Sequence, residues 1–217
     1  MAVIHRTTMT PTKLELLAAW LPGQPWYAAT GGAPEPVRAG GFRLDDPEGE
    51  VGIDFMVVAD ASAEPPVAYH VPLTYRGAPL DGAEAGLLGT SEHGVLGKRW
   101  IYDATHDPVA VERLLALLRG EAEPQAQSVS DTPDPSVAAV NPAAALPGPA
   151  PDAAPRAAHG PQGTEIRVDG LPAVLSVPRV LRPGAPAGGA TAVVAGWTLP
   201  DGTEQRGVFA ALPPGTA

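Results

Sequence analysis

The chain has 217 residues, a formal net charge of −10, no cysteine, and only 5% aromatic residues against 44% hydrophobic ones. That length suits one domain, or a domain of roughly 120 residues with a smaller partner, around a core of mainly Ala, Val and Leu. Without thiols there is no disulfide, thiolate metal site or cysteine nucleophile. The negative charge, offset by no basic cluster larger than Lys98-Arg99, argues against nucleic acid and anionic membranes as partners.

The first eight residues lack the charged region and apolar run of an export signal. No stretch approaches the roughly 20 apolar residues of a membrane-spanning helix. The expected location is therefore cytoplasmic.

In chain order, residues 2–8 suit a first strand. Thr10 and Pro11 then offer an N-cap and a first helical position. Leu14, Leu17, Ala18 and Leu21 follow at i, i+3, i+4, i+7, and Pro22-Gly23 ends the helix. Residues 41–45 read as a short strand. Val51, Ile53, Phe55 and Val57 line one face of a longer one over 51–58. A strand through Val67, Tyr69, Val71, Leu73 and Tyr75 contains Pro72, which points to an edge or bulge. Residues 98–103 give another. Asp107-Pro108 opens a second helix, with Val111, Leu114, Leu115 and Leu118 on one face and Gly120 at the C-terminal cap.

The next 43 residues, 121–163, hold nine Pro and twelve Ala with no Phe, Trp or Tyr and no apolar period. That composition predicts a semi-extended, largely disordered linker. Beyond it, 164–168, 173–181, 191–199 and 204–211 read as four short strands, with Asp169-Gly170 and Asp201-Gly202 as hairpin turns. The predicted organisation is a domain over 1–120, the linker over 121–163, and a small antiparallel β subdomain over 164–213.

Signatures of catalysis are sparse. No G-x-S-x-G occurs, and Ser91-Glu92-His93 puts three reactive types side by side, where a hydroxyl and an imidazole seldom aim at one carbonyl. His5, His70, His93, His106 and His159 form no H-E-x-x-H or comparable pair, so no metal site is expected. The acidic run Asp45-Asp46-Pro47-Glu48-Gly49-Glu50 lacks calcium-loop order and reads as a solvated turn. No phosphate-cradling G-x-x-x-x-G-K-[ST] is present. The informative segment is Trp20-Leu21-Pro22-Gly23-Gln24-Pro25-Trp26-Tyr27, whose rings either close the core or bind a sugar face or partner.

That segment, Tyr69-His70-Val71-Pro72-Leu73-Thr74-Tyr75-Arg76, Gly97-Lys98-Arg99-Trp100-Ile101-Tyr102-Asp103-Ala104 and the helix opening at Asp107-Pro108 follow in an order that resembles the N-terminal cap domain of actinobacterial maltokinases. The resemblance covers about 120 residues and departs at Pro25, where the family usually carries Arg. It implies an α+β fold, a curved antiparallel sheet flanked by two helices. Residues 164–211 are similar to a reduced kinase N-lobe, with Ser176 or a neighbour where a kinase carries its phosphate-pairing Lys.

Phosphoryl transfer in kinase-like folds needs a Lys on the phosphates, an Asp to orient the acceptor, and Asn and Asp on magnesium. Here no Lys follows Lys98, Asn141 is the single Asn, and neither H-x-D nor D-x-D occurs. No kinase C-lobe is expected in this sequence. The expectation is a non-catalytic accessory or regulatory protein of maltose, trehalose and glycogen metabolism, without cofactor, docking on a kinase or α-glucan enzyme. The alternative is a sugar- or glucan-binding module using Trp26, Tyr27 and Trp100. Candidate binding residues are Trp20, Trp26, Tyr27, Trp100 and Tyr102. An unrecognised enzyme built on Ser91, Glu92 and His93 is the remaining reading.

Overall fold

A computed structural model describes residues 7–150 and 153–214, so most of the strand expected over 2–8 lies outside the described residues. After β1 (Met9–Thr10), helix α1 (Lys13–Trp20) starts two residues later than the Thr10-Pro11 pair predicts. The reason is a capping box: the Thr12 hydroxyl accepts from the Glu15 amide, and the Glu15 carboxylate accepts from the Thr12 amide. A 3-10 turn, Leu21–Gly23, ends this region.

Strands β2 (Pro36–Leu44), β3 (Gly52–Asp60) and β4 (Val67–Arg76) form an antiparallel meander. Then β5 (Leu87–His93) and β6 (Gly97–Asp103) pair as a hairpin, β6 lying on β4. A 3-10 turn, Ala104–His106, leads into helix α2 (Pro108–Arg119), which is capped as its sequence predicts by Asp107 at the start and a left-handed Gly120 at the end.

The Pro- and Ala-rich run is laid against the sheet rather than left open. It contains β7 (Gln125–Ala126) on β2, β8 (Ala138–Val140) and the first partner of a later hairpin, β9 (Arg156–Gly160). Gln125, Val137, Ala143 and Leu146 in it are buried. Their irregular spacing hides them from pattern reading, because the surface that receives them is made by other segments. β10 (Gly163–Arg167), β11 (Leu175–Pro178), β12 (Thr191–Thr198) and β13 (Glu204–Leu212) follow. Gly170 and Gly202 take positive φ at the two expected Asp-Gly turns.

All these strands belong to one sheet, ordered β1-β5-β6-β4-β3-β2-β12-β13-β11-β10-β9, with β7 added on β2 and β8 on β12. The strands beyond residue 163 thus continue the sheet begun before residue 104. The sheet also returns on itself. After β11 the chain runs beside β4: the His70 amide donates to the Arg179 carbonyl and the Leu181 amide to the Ala68 carbonyl, both at 2.9 Å.

β4 is therefore flanked on one side by two partners placed end to end, residues 179–181 along its first half and β6 along its second, from Leu73 opposite Asp103. Pro72 sits at that junction. Its parity points the position of its missing N–H into the gap between the two partners, so a proline inside a central strand leaves no carbonyl unmatched.

β3 and β4 are covered on both faces. On one, Ile53, Phe55 and Val57 pack with Leu114, Leu115 and Leu118 of α2 and with Ile166, Val193 and Phe209. On the other, Met56, Val58, Tyr69, Val71 and Leu73 pack with Leu17, Leu21 and Trp26. Two-sided burial explains why Phe55 to Ala59 of β3 are apolar on both faces.

Candidate functional site

The aromatic segment after α1 folds onto β4. Trp26 lies between Trp20 (ring centroids 5.6 Å apart) and Tyr69 (5.7 Å), and Tyr27 lies 5.5 Å from Tyr69. The Tyr27 hydroxyl donates to Asp60 at 2.7 Å, and the Ala28 amide donates to the Tyr69 hydroxyl at 3.1 Å. Burial and the Asp60 hydrogen bond push the Tyr27 phenol up to about 12. Trp26, expected as a stacking platform, is only 3% exposed, so both ring faces are taken by its own chain; Trp20 and Tyr27 remain partly exposed.

The other two expected binding residues lie elsewhere. Trp100 is opposite Arg76, seven residues or about 23 Å along β4 from Tyr69, with the Lys98 ammonium 5.0 Å from its ring. Tyr102 is buried, its hydroxyl accepting from the Leu80 amide at 2.9 Å. The five rings do not converge on one surface.

What the fold does bring together is polar, at the junction beside β4. Asp103 ends β6 and Arg179 begins the segment that takes over from it. Arg179 donates to Asp103 at 2.5 Å, to the Thr105 hydroxyl at 3.2 Å and, through Nε, to the Thr164 hydroxyl at 2.8 Å; neither charged side chain reaches solvent. The second Asp103 oxygen accepts from the Thr105 amide and hydroxyl. Burial pushes the Asp103 carboxyl up, but Arg179 and Thr105 more than reverse this and hold it below the usual range.

Two histidines border this network. His159 of β9 places Nδ1 2.9 Å from the Thr164 hydroxyl and Nε2 3.0 Å from Nε2 of His106 in the 3-10 turn. The His106 ring occupies the space a side chain at position 86 would need: a Cβ on Gly86 would stand 2.7 Å from its Cγ. Burial lowers the basicity of both imidazoles, with Asp103 opposing it and Arg179 adding to it. One ligand atom each from Asp103, His106 and His159 lies within 4.8 Å of the other two. The sequence gives no hint of this group, because His106 and His159 stand 53 positions apart in elements that meet only when the sheet closes.

A third histidine, His70, faces the other side of the junction, stacked against Phe55 and tilted on Phe209, with Nδ1 3.3 Å from the Pro178 carbonyl. Burial, helped by Arg179, lowers it to about 3.

The remaining candidate from the sequence is spent on structure. The Ser91 hydroxyl donates to the Pro11 carbonyl at 2.7 Å, while His93 accepts from the Val95 and Leu96 amides at the tip of the β5–β6 hairpin. Asp46, in the acidic run, accepts from the amides of Glu48, Glu50 and Val51 and so shapes its own turn.

A two-face-covered antiparallel meander with α1 and its Trp-rich exit on one side and α2 on the other makes this an α+β fold. Residues 20–107 match the family model of the maltokinase N-terminal cap domain, which confirms the resemblance carried by the Trp20–Tyr27, β4 and β6 motifs over that stretch. The match begins at Trp20 and ends at the Asp107 cap of α2, covering β2 to β6 and less than half of the chain. A search of the curated proteins finds no matching relative. No helix among the described residues is long and apolar enough to cross a membrane.

Proposed function

We propose that this chain is a non-catalytic, cap-type accessory protein of maltose- and trehalose-related carbohydrate metabolism, which docks on a kinase or an α-glucan enzyme rather than transferring phosphate itself. The observation that carries this reading is the match of residues 20–107 to the maltokinase N-terminal cap domain. Its support from chemistry is that these 217 residues supply no Lys after position 98 and a single Asn, Asn141, whereas phosphoryl transfer calls for cationic and magnesium-holding groups together. Fold likeness alone does not fix function, so the pathway rests on that family match.

Affinity capture with the purified chain from native extract, with identification of retained proteins, tests the reading. Enrichment of a sugar kinase or glucan-active enzyme over a charge-matched control is the expected result. Transfer of phosphate from ATP to maltose by the purified chain alone would overturn it.

A second reading, direct sugar binding, draws on the partly exposed Trp20 and Tyr27 beside Trp26. It differs in requiring no partner protein. Quenching or enhancement of Trp emission on titration with maltose or glycogen, lost in Trp20→Ala and Tyr27→Ala, would favour it over docking.

A further inference from the structure

We infer that Asp103, His106 and His159 form a site for a divalent transition metal of the zinc class, which ties the β9–β10 hairpin to the end of β6. The geometry is close to what such an ion needs. In a tetrahedral zinc site with Zn–N bonds of about 2.0–2.1 Å, two imidazole nitrogens stand about 3.3–3.4 Å apart. The two Nε2 atoms here face each other at 3.0 Å, so an ion enters if the rings part by a few tenths of an ångström. One Asp103 carboxylate oxygen falls within 4.8 Å of a ring nitrogen of each histidine and offers a third ligand.

The surroundings are built as metal-ligating histidines require. The Thr164 hydroxyl, itself held by Arg179 Nε at 2.8 Å, lies 2.9 Å from His159 Nδ1 and fixes the ring with Nε2 toward His106. Gly86 provides the seat for the His106 ring, where any larger residue would displace it. Both histidines are half-buried and so leave an approach from solvent for the ion and a further ligand, whereas Asp103 is fully enclosed.

Charge decides the class of ion. Asp103 already shares its negative charge with Arg179, so the site offers little net charge to a hard cation. Mg²⁺ and Ca²⁺, which want several oxygens, are disfavoured; Zn²⁺, Co²⁺ and Ni²⁺, which imidazole suits, are favoured. Without metal, the same two nitrogens make an N–H···N hydrogen bond, and that is the alternative the experiment separates.

Chelator-treated full-length chain is titrated with CoCl2 and ZnCl2, following cobalt ligand-field absorption, its displacement by zinc, and thermal unfolding. One cobalt per chain, displaced by zinc, is expected, with a rise in unfolding temperature of about 5–10 °C at zinc 100-fold above Kd. His106→Gln and His159→Gln should each weaken cobalt binding more than about 100-fold, and Thr164→Val about 10-fold, since loss of an outer-shell partner alone costs 10–100-fold. His93→Gln, at the distant hairpin tip, should bind as wild type does. If His106→Gln fails to fold, His159→Gln on the edge strand gives the same reading. Absence of stoichiometric uptake of either ion, or uptake that survives both histidine variants, overturns the site.

Discussion

Asp103 and Arg179, separated by 76 positions, meet at 2.5 Å with neither side chain exposed, at the point where β6 ends and residues 179–181 take over beside β4. A buried pair of this kind contributes less by its own attraction than by what each partner would cost alone. Arg179→Met should therefore lower the unfolding free energy by about 3–5 kcal/mol, because it strands the Asp103 carboxylate. Adding Asp103→Leu should recover much of that loss. Urea unfolding of the single and double variants checks it; a single variant within about 1 kcal/mol of wild type would show that the pair is not what holds the junction.

His70 predicts how the fold responds to acid. Its folded-state value is about 3, well below the ordinary histidine value near 6.5, so between these values the unfolded chain binds a proton that the folded chain refuses. The stability associated with neutral His70 is complete above about pH 6.5 and falls as pH drops toward 3, by about 2–3 kcal/mol at pH 4.5. His70→Gln, less stable at neutral pH, should lose that part of the slope. Denaturant midpoints of both proteins between pH 7 and 4.5 give the test, and parallel curves would contradict it.

Leu146 separates two views of residues 121–163. In an open linker Leu146→Ala costs nothing, whereas in the structure its side chain is 3% exposed within the main core. The expected loss is about 2–4 kcal/mol by chemical unfolding. Resistance of the folded chain to proteases over 137–146 should fall in parallel.

Trp26 and Trp20 should behave differently. Trp26→Ala empties a space between Trp20, Tyr69 and the Arg179 guanidinium, whose centre lies 5.4 Å from the indole ring, and should cost about 3–5 kcal/mol. Trp20→Ala, at a partly exposed position, should cost clearly less. If a sugar or partner is bound here, Trp20→Ala will weaken that binding while stability stays near wild type.

The parts of the fold legible in the sequence are those set by local periodicity and caps. α2 lies between Asp107-Pro108 and Gly120 as its sequence predicts, and the alternation in β3 and β4 assigns the right residues to each face. The start of α1 moved because Glu15 favours Thr12 over Thr10, a competition between two caps that spacing alone leaves open. β5 was hidden because Ser91-Glu92-His93 reads as a polar loop, although it pairs with β6 on a sheet surface where only Ser91 turns inward.

The site was less legible than the fold. Trp20, Trp26 and Tyr27 are brought together as their spacing suggests, yet Trp26 is consumed by packing, which composition cannot reveal. The Asp103, His106, His159 and Arg179 cluster had no sequence signature, since its members join only through closure of the sheet. One trace was available: Arg179 is the single charged residue in the 173–181 strand pattern, and such a residue usually has a buried partner to find.

Pro72 has a bearing on assembly. Because it leaves β4 without a donor where its two flanking partners abut, neither β6 nor residues 179–181 can lengthen across the gap and displace the other. The ring is thereby fixed at one circumference, and the contacts that seal it join stretches more than a hundred residues apart. Such distant contacts are slow to form, which makes sealing a late step in folding.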